Sequence, residues 1–171
     1  MEYGLYKSEP VIRTYTGKWF NVFEPNIDDI CIEDIAHALS NQSRFGGHTS
    51  TFYSVAQHSV RCCLIAEPEH QLAALLHDAS EAYLLDIPRP IKKRLVEYHA
   101  IEDNLMRMIA DKYGFQWPLH EYIKRIDETA LQMEWDTLMV KTDNLFGVRT
   151  PEQAKSDFLK LFQLLNPNPI A

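Results

Sequence analysis

Hydrophobic and polar positions along the chain change their period near residue 32. Residues 11–23, VIRTYTGKWFNVF, are rich in β-branched and aromatic side chains around a central Thr-Gly pair. This composition predicts a short β-hairpin. From about Ile32 to about Ser43 the apolar residues recur every three or four positions, which indicates a helix. The pattern therefore predicts an N-terminal hairpin followed by a helical chain.

Capping and breaking residues divide the helical part. Ser54 and Gln57 have the spacing of a capping box, and Pro68 suits the first turn of a helix that we expect to reach about Tyr83. Residues 86–90, DIPRP, cannot be helical throughout, because each proline disfavours α geometry in the residue before it. Further helices are predicted at about 91–113, closed by Gly114, at about 119–141, and from a capping box at residues 150–153.

Composition and length fit one globular domain. The chain has 171 residues, of which 46% are hydrophobic and 24% charged, and this is enough to bury a core. We expect an all-α single domain in three parts: an N-terminal hairpin and lead-in over 1–30, a helical core over 31–145 and a C-terminal helix over 150–165.

Net charge, apolar runs and cysteine content limit the partners and the cellular compartment that the sequence predicts. A net charge of −7 opposes binding to nucleic-acid polymers and anionic membranes. No apolar run reaches the ~20 residues of a membrane span, and the N-terminus lacks a signal-peptide pattern. Cys31, Cys62 and Cys63 are an odd count without framework spacing, which fits reduced thiols in the cytoplasm. We interpret all three as small core or near-surface residues, and not as metal ligands or a nucleophile.

Ionisable residues occupy the apolar faces of three predicted helices. By helical spacing, His58 shares a face with Val55 and Cys62, the His77-Asp78 pair follows Ala73 and Ala74, and Asp127 lies between Ile123 and Ala130. Buried charges are costly unless they are paired or bind a metal. A lone inward histidine is more often a hydrogen-bonded core residue. The joint pattern of two imidazoles and two carboxylates instead favours a divalent transition-metal site for Co²⁺, Mn²⁺, Zn²⁺, Fe²⁺ or Ni²⁺.

The order H…HD…D on successive helices resembles the HD-domain phosphohydrolases. The resemblance covers about residues 32–141. The segments VAQHSV, LLHDASEAYLLDIPRPIK and SRFGGHT are similar to the bacterial and phage branch that holds 5′-deoxynucleotidases and small dATP triphosphohydrolases. This resemblance implies an HD-domain helical bundle with four metal ligands: His58, His77, Asp78 and Asp127.

Two further acids follow the His-Asp pair. Glu81 lies three residues after Asp78, so it is one helical turn along nearly the same face, within reach of a metal-bound water. The resemblance implies that Glu81 is catalytic, and that Asp86 takes part in acid catalysis or sugar binding. Alternatively, Glu81 is a solvated surface charge and Asp86 a turn residue before Pro88.

The resemblance also implies a substrate pocket. It places phosphate-binding cations at Arg44 and Lys92, while Arg89, Lys93 and Arg94 are interpreted as surface residues. Phe45 stands where relatives carry an aromatic wall against the sugar, and Trp19 and Trp135 are expected in the core. The residues expected to line the base pocket are Gly47, His48 and Pro90. His48 can equally be a loop residue with local hydrogen bonds.

The expected function is metal-dependent hydrolysis of deoxynucleotides. The resemblance favours a dATP (dNTP) triphosphohydrolase that releases deoxynucleoside and triphosphate through attack of metal-bound hydroxide at the α-phosphorus. One alternative is a 5′-deoxynucleotidase acting on monophosphates, and another is a non-catalytic sensor that binds metal and nucleotide. An additional Mg²⁺ is compatible with either enzyme. Relatives imply a homo-oligomer, a dimer or hexamer.

Overall fold

The N-terminal hairpin is present as predicted. The computed structural model describes residues 10–140 and 147–167. Strand β1 (Val11–Arg13) pairs antiparallel with β2 (Trp19–Asn21), and Gly17 occupies the turn at a positive φ of 89°. Residues 1–9 and 141–146 of the predicted lead-in and core lie outside the described residues.

The rest of the described chain is mostly helical, in agreement with the predicted all-α class. Its α-helices are, in chain order, α1 (Ile32–Asn41), α2 (Val55–Ile65), α3 (Gln71–Leu76), α4 (Glu81–Leu84), α5 (Arg89–Lys92), α6 (Val96–Tyr113), α7 (Glu121–Glu134) and α8 (Pro151–Leu165). Short 3₁₀ turns occur at Ile27–Asp29, Arg44–Gly47 and Pro68–His70, and a π-helical segment, Trp135–Val140, continues α7. None of the helices in the described ranges is long and apolar enough to cross a membrane.

Two hydrophobic clusters hold the helices together. The larger one packs α1, α2 and α8 around buried residues such as Leu39 and Phe158, and Phe20 of the hairpin stacks on Tyr83 with ring centroids 4.1 Å apart. The smaller cluster joins α2, α3 and α7 through Cys62, Ala66, Ala74, Ile123 and Ala130. It brings together the elements that carry the predicted metal ligands.

The helix predicted to run from Pro68 to Tyr83 is divided. Helix α3 ends at Leu76, and residues 77–80 continue as tighter turns in which the Glu81 amide donates to the Asp78 carbonyl at 3.0 Å. Such bonds between residues three apart give about three residues per turn, so positions 78 and 81 lie one above the other. The division therefore brings Glu81 directly over Asp78.

The predicted helix ends are largely confirmed. Gly114 closes α6 in a left-handed conformation, and Thr150 and Gln153 form both bonds of a capping box at α8. The capping box predicted at the start of α2 has one of its two bonds. Ser54 accepts from the Gln57 backbone amide, but the Gln57 side chain donates to the Gly147 carbonyl at 2.8 Å. The helix predicted over 91–113 is interrupted between α5 and α6.

Candidate functional site

The four predicted ligands meet at one point. His58 comes from α2, His77 and Asp78 from the turns after α3, and Asp127 from α7. His58 Nε2 lies 3.3 Å from His77 Nε2, 3.2 Å from Asp127 Oδ1 and 3.7 Å from Asp78 Oδ2. His77 Nε2 lies 3.2 Å from Asp78 Oδ2 and 4.0 Å from Asp127 Oδ1. Donor atoms that each bind one ion at ~2.1 Å are themselves roughly 3–4 Å apart, so this set fits a single divalent ion.

Hydrogen bonds on the far side of both rings fix their orientation. His77 Nδ1 lies 2.8 Å from the Ala74 carbonyl oxygen, which can only accept, so Nδ1 carries the proton and Nε2 is left to bind. His58 Nδ1 lies 2.8 Å from Glu134 Oε1. A carboxylate behind a ligating imidazole sets its tautomer and raises its basicity.

Glu134 is a site residue that the sequence reasoning missed. It is fully buried at the end of α7, and its Oε2 accepts from Arg44 Nε at 3.3 Å and from an Arg44 terminal nitrogen at 3.2 Å. Burial alone raises the pKa of Glu134, but His58 and Arg44 hold it below its ordinary value. Helical spacing offers a signal for it, because Glu134 lies two turns after Asp127 on the same face.

The cluster is also a network of ion pairs. Burial opposes the charged form of His77, yet the Asp78 carboxylate beside it raises the pKa of His77 to about 9. Glu134 similarly helps to raise the pKa of His58, against burial and Arg44. Although burial favours the neutral acids, contacts with the imidazoles lower the pKa of Asp78 and Asp127. A divalent cation can replace the protons on the imidazoles, since metal binding requires neutral rings and charged carboxylates.

Cys62 borders the centre, whereas the sequence predicts a small core or near-surface residue that is not a metal ligand. It is buried, and its Sγ lies 3.6 Å from His58 Nε2 and 4.0 Å from His58 Nδ1. His58, Cys62 and His77 form a group that can hold a metal ion. Asp127 Oδ1 and Asp78 Oδ2 approach the same nitrogen, His58 Nε2, at 3.2 and 3.7 Å.

A cavity of about 760 Å³ opens beside the centre. Of the residues predicted for the site, it is lined by Arg44, Phe45, Asp78, Glu81, Asp86, Pro90, Lys92 and Asp127. Gly47 and His48 do not line it: Phe45, Gly46 and Gly47 all have positive φ, and this left-handed turn leads Gly47 and His48 out to exposed positions. The structure therefore does not bring these two residues to the pocket. The alternative interpretation of His48 is a loop residue with local hydrogen bonds. It agrees with the His48 backbone amide, which donates to the Phe45 carbonyl at 3.2 Å.

Glu81 and Asp86 are both held beside the centre. Glu81 is 5% exposed, and its Oε2 is buried without a hydrogen-bond partner. Burial, with Asp78 and Asp86 nearby, raises the pKa of Glu81 well above its ordinary value, and burial also raises that of Asp86. Gln42 links the two, because its side chain donates to the Glu81 carbonyl and accepts from the Asp86 amide. A solvated surface role for Glu81 is thus wrong.

Leu85, between these acids, adopts an unusual backbone conformation. Its φ of 70° and ψ of 151° lie where glycine is the ordinary residue. The side chain is 63% exposed and gains little from packing. The strained residue turns the chain from Glu81 to Asp86, so that both carboxylates reach the same cavity.

Three cations line the cavity, each with acidic neighbours. Arg44 is buried against Glu134, with its other terminal nitrogen 4.0 Å from Asp78. Lys92 Nζ lies 3.5 Å from Glu81 and pairs with Glu102. Arg89, interpreted as a surface residue, donates to Asp127 Oδ2 at 3.0 Å although its side chain is 58% exposed.

Aromatic side chains form another part of the wall. Phe45 and Trp135 both line the cavity, with ring centroids 6.1 Å apart and planes inclined by 58°. The expectation that Trp135 belongs to the core is wrong, because it begins the π-helical segment and is 45% exposed. Trp19 is half-buried on the hairpin, where the Arg13 guanidinium lies 5.6 Å from its ring centroid.

Comparison with known proteins identifies relatives. No family model matches the chain. The uncharacterized protein YfdR of Escherichia coli is 45% identical over 123 residues, which cover 72% of this chain and 69% of YfdR. An uncharacterized protein of Rhodobacter capsulatus is 31% identical over 157 residues, covering 81% of this chain and 80% of the relative. At these identities and coverages, the chain belongs to the same family as YfdR and the Rhodobacter capsulatus protein.

Proposed function

We propose that this protein is a metal-dependent deoxynucleotide phosphohydrolase of the HD-domain type. The observation that carries the proposal is that the Nε2 atoms of His58 and His77 both lie within 4.0 Å of Asp78 Oδ2 and of Asp127 Oδ1, beside a cavity that also presents cations. The centre supplies nitrogen and oxygen donors, and the cavity supplies positive charge for phosphate. The preferred substrate is a deoxynucleoside triphosphate, dATP first among them.

A divalent ion bound by the four side chains would polarise a phosphoryl oxygen and acidify a water molecule. The chain's own contribution begins with ligand orientation. The Ala74 carbonyl holds His77, and Glu134 holds His58. Both imidazoles therefore present Nε2 to the same point with their Nδ1 atoms already occupied, so little reorganisation accompanies binding.

Proton transfer is assigned to Glu81. Its buried Oε2 has no partner within the described structure, and burial beside Asp78 and Asp86 raises the pKa of its carboxyl group, which favours proton uptake. In the proposed reaction Glu81 takes a proton from the attacking water. Asp86, whose pKa is also raised and which lines the same cavity, can supply a proton to the departing deoxynucleoside oxygen.

Substrate binding is assigned to the cations and to the aromatic wall. Arg44 and Lys92 offer N–H donors to the phosphate under attack, and Phe45 borders the cavity beside Arg44, whose guanidinium carbon lies 5.6 Å from the ring centroid. A flat apolar wall at this point leaves no partner for a ribose 2′-hydroxyl, which favours deoxyribose. Trp135 offers a face on which a base can stack.

A 5′-deoxynucleotidase remains the second candidate. Carboxylates outnumber cations among the residues that line the cavity, and this charge balance favours a monophosphate over the more highly charged triphosphate. The non-catalytic sensor is less well supported, because a site that only binds has no use for a buried Glu81 Oε2 without a hydrogen-bond partner in the described structure. The predicted homo-oligomer and cytoplasmic location stay predictions.

A product assay tests the proposal. Purified protein is incubated with Co²⁺ or Mn²⁺ and with matched deoxynucleoside mono- and triphosphates, and the products are separated. Free deoxyadenosine together with inorganic triphosphate is the expected result. Phosphate released only from monophosphates would replace the preferred function with the second candidate. No turnover of any nucleotide would favour the sensor.

A further inference from the structure

Arg89 lies at the exposed side of the cavity and contacts a predicted metal ligand. It stands between Pro88 and Pro90 at the start of α5, and its guanidinium donates to Asp127 Oδ2 at 3.0 Å. We infer that Arg89 selects triphosphates over monophosphates by binding the β- and γ-phosphate oxygens. The inference rests on the proposed function, and it assigns the preference for a triphosphate over a monophosphate to one side chain.

The other two cations that line the cavity, Arg44 and Lys92, contact carboxylates inside the site. Arg44 is 8% exposed and engages Glu134 through two nitrogens. Lys92 is held between Glu81 and Glu102. Of the three cations, Arg89 alone has a side chain more than half exposed, and a single carboxylate accepts from it in the described structure. Its remaining donors are therefore available at the solvent side of the cavity.

The contact with Asp127 suggests how Arg89 changes partner. Asp127 Oδ1 faces His58 Nε2 at 3.2 Å, whereas Oδ2 faces Arg89. A cation held by Oδ1 neutralises much of the Asp127 charge and weakens its attraction for the guanidinium. A polyphosphate tail then offers a stronger partner, because the planar fork of arginine matches two phosphate oxygens.

The backbone on both sides of Arg89 is restricted, so Arg89 changes partner by reorienting its side chain and not by moving its backbone. Pro88 and Pro90 restrict φ on both sides of the residue, so its Cα stays beside the cavity while the long side chain reorients. A monophosphate has no oxygens beyond the phosphate under attack. It therefore gains nothing from Arg89, and the contribution appears only with a longer phosphate chain.

Binding of dATP and dAMP to Mn²⁺-loaded protein tests the inference. The measurements use the Glu81→Gln variant, in which turnover is suppressed, with and without Arg89→Ala, and isothermal titration gives each Kd. We expect Arg89→Ala to weaken dATP binding about tenfold or more and dAMP binding less than about twofold. Arg89→Lys keeps the charge but loses the fork, so we expect an intermediate loss for dATP.

Arg94→Ala is the matched control. Arg94 is exposed in the turn after α5, does not line the cavity, and its removal changes the net charge by the same amount. It should leave both Kd values unchanged. Equal losses for dATP and dAMP in Arg89→Ala would show that Arg89 acts only through Asp127 and the metal, and would overturn the inference. No loss for dATP would also overturn it.

The two proposals fail in different assays. If the wild-type protein hydrolyses neither nucleotide while Arg89→Ala selectively weakens dATP, the proposed function fails and Arg89 is supported as a triphosphate-binding residue. If the wild type hydrolyses nucleotides but Arg89→Ala shows no selective effect, the inference fails and the proposed function stands.

Discussion

Glu134 stabilises the centre from behind its ligands. One oxygen contacts His58 and the other accepts from Arg44, in a fully buried position. Removing one member of such a network leaves the others buried without a partner, which costs more than the pair itself contributes. The carboxylate thus couples the orientation of a predicted metal ligand to that of a cation that lines the cavity.

Glu134→Gln keeps the side-chain volume and removes the charge. We expect metal affinity to fall by about 10- to 100-fold, the usual range for loss of a carboxylate behind a ligating histidine. The measurement is titration of Co²⁺ or Mn²⁺ into the metal-free protein. Glu121→Gln, at the exposed start of α7, is the control and should bind metal like the wild type. Unchanged affinity in Glu134→Gln would contradict the assigned role.

Glu81→Gln separates metal binding from catalysis. The amide cannot accept the proton from water, so we expect kcat to fall by about 10²- to 10⁴-fold while metal content stays near that of the wild type. Asp78→Ala is the contrasting variant, because it removes a ligand and should lose both metal and activity. Metal analysis and product assays on the same preparations give both quantities. Wild-type rates in Glu81→Gln would defeat the assignment.

At the scale of elements, the strained turn at Leu85 joins α4 to the segment that leads into α5. Leu85→Gly removes the positive-φ penalty, whereas Leu85→Ala shortens the exposed side chain and keeps the penalty. We expect the glycine variant to exceed the alanine variant in free energy of unfolding by about 1 kcal/mol. Urea denaturation of both metal-free variants measures the difference. A more stable alanine variant would show that residue 85 is not strained in solution.

At the scale of the whole molecule, the centre joins elements that are distant in the chain. His58 on α2 and Glu134 on α7 are 76 residues apart, and Arg44 and Glu134 are 90 apart. Metal binding should therefore stabilise the packing of α2, α3 and α7 together. It also links the protonation of the whole cluster to metal affinity.

Metal affinity should rise with pH. The pKa of His77 is raised to about 9, so its imidazole is protonated at pH 7 and must lose a proton before Nε2 can bind. Between pH 7 and 9 each released proton increases the apparent affinity by up to about tenfold per pH unit. Mn²⁺ titrations at several pH values, in buffers of different ionisation enthalpy, measure the affinity and the protons released. An affinity independent of pH over this range would contradict the prediction.

Local pattern by itself determined the element types and the inward direction of the candidate ligands. The hairpin around Gly17, the helical period from Ile32 and the cap at Thr150 depend on neighbours within a few residues, and the structure has all three. The same periodicity showed that His58 and Asp127 face inward. It could not show which groups they meet, because periodicity reports the direction of a side chain and not its partner.

Only the tertiary structure decided the contacts around the ligands. Glu134 became the partner of His58 and Arg44 when α7 packed against α2, and Arg89 reached Asp127 across 38 residues of chain. The tighter turns at 77–80 and the exposed position of Trp135 are likewise features of the folded chain that the sequence pattern did not predict. Sequence pattern determined which residues face inward, since that depends on local geometry, whereas the packing of separate helices determined their partners.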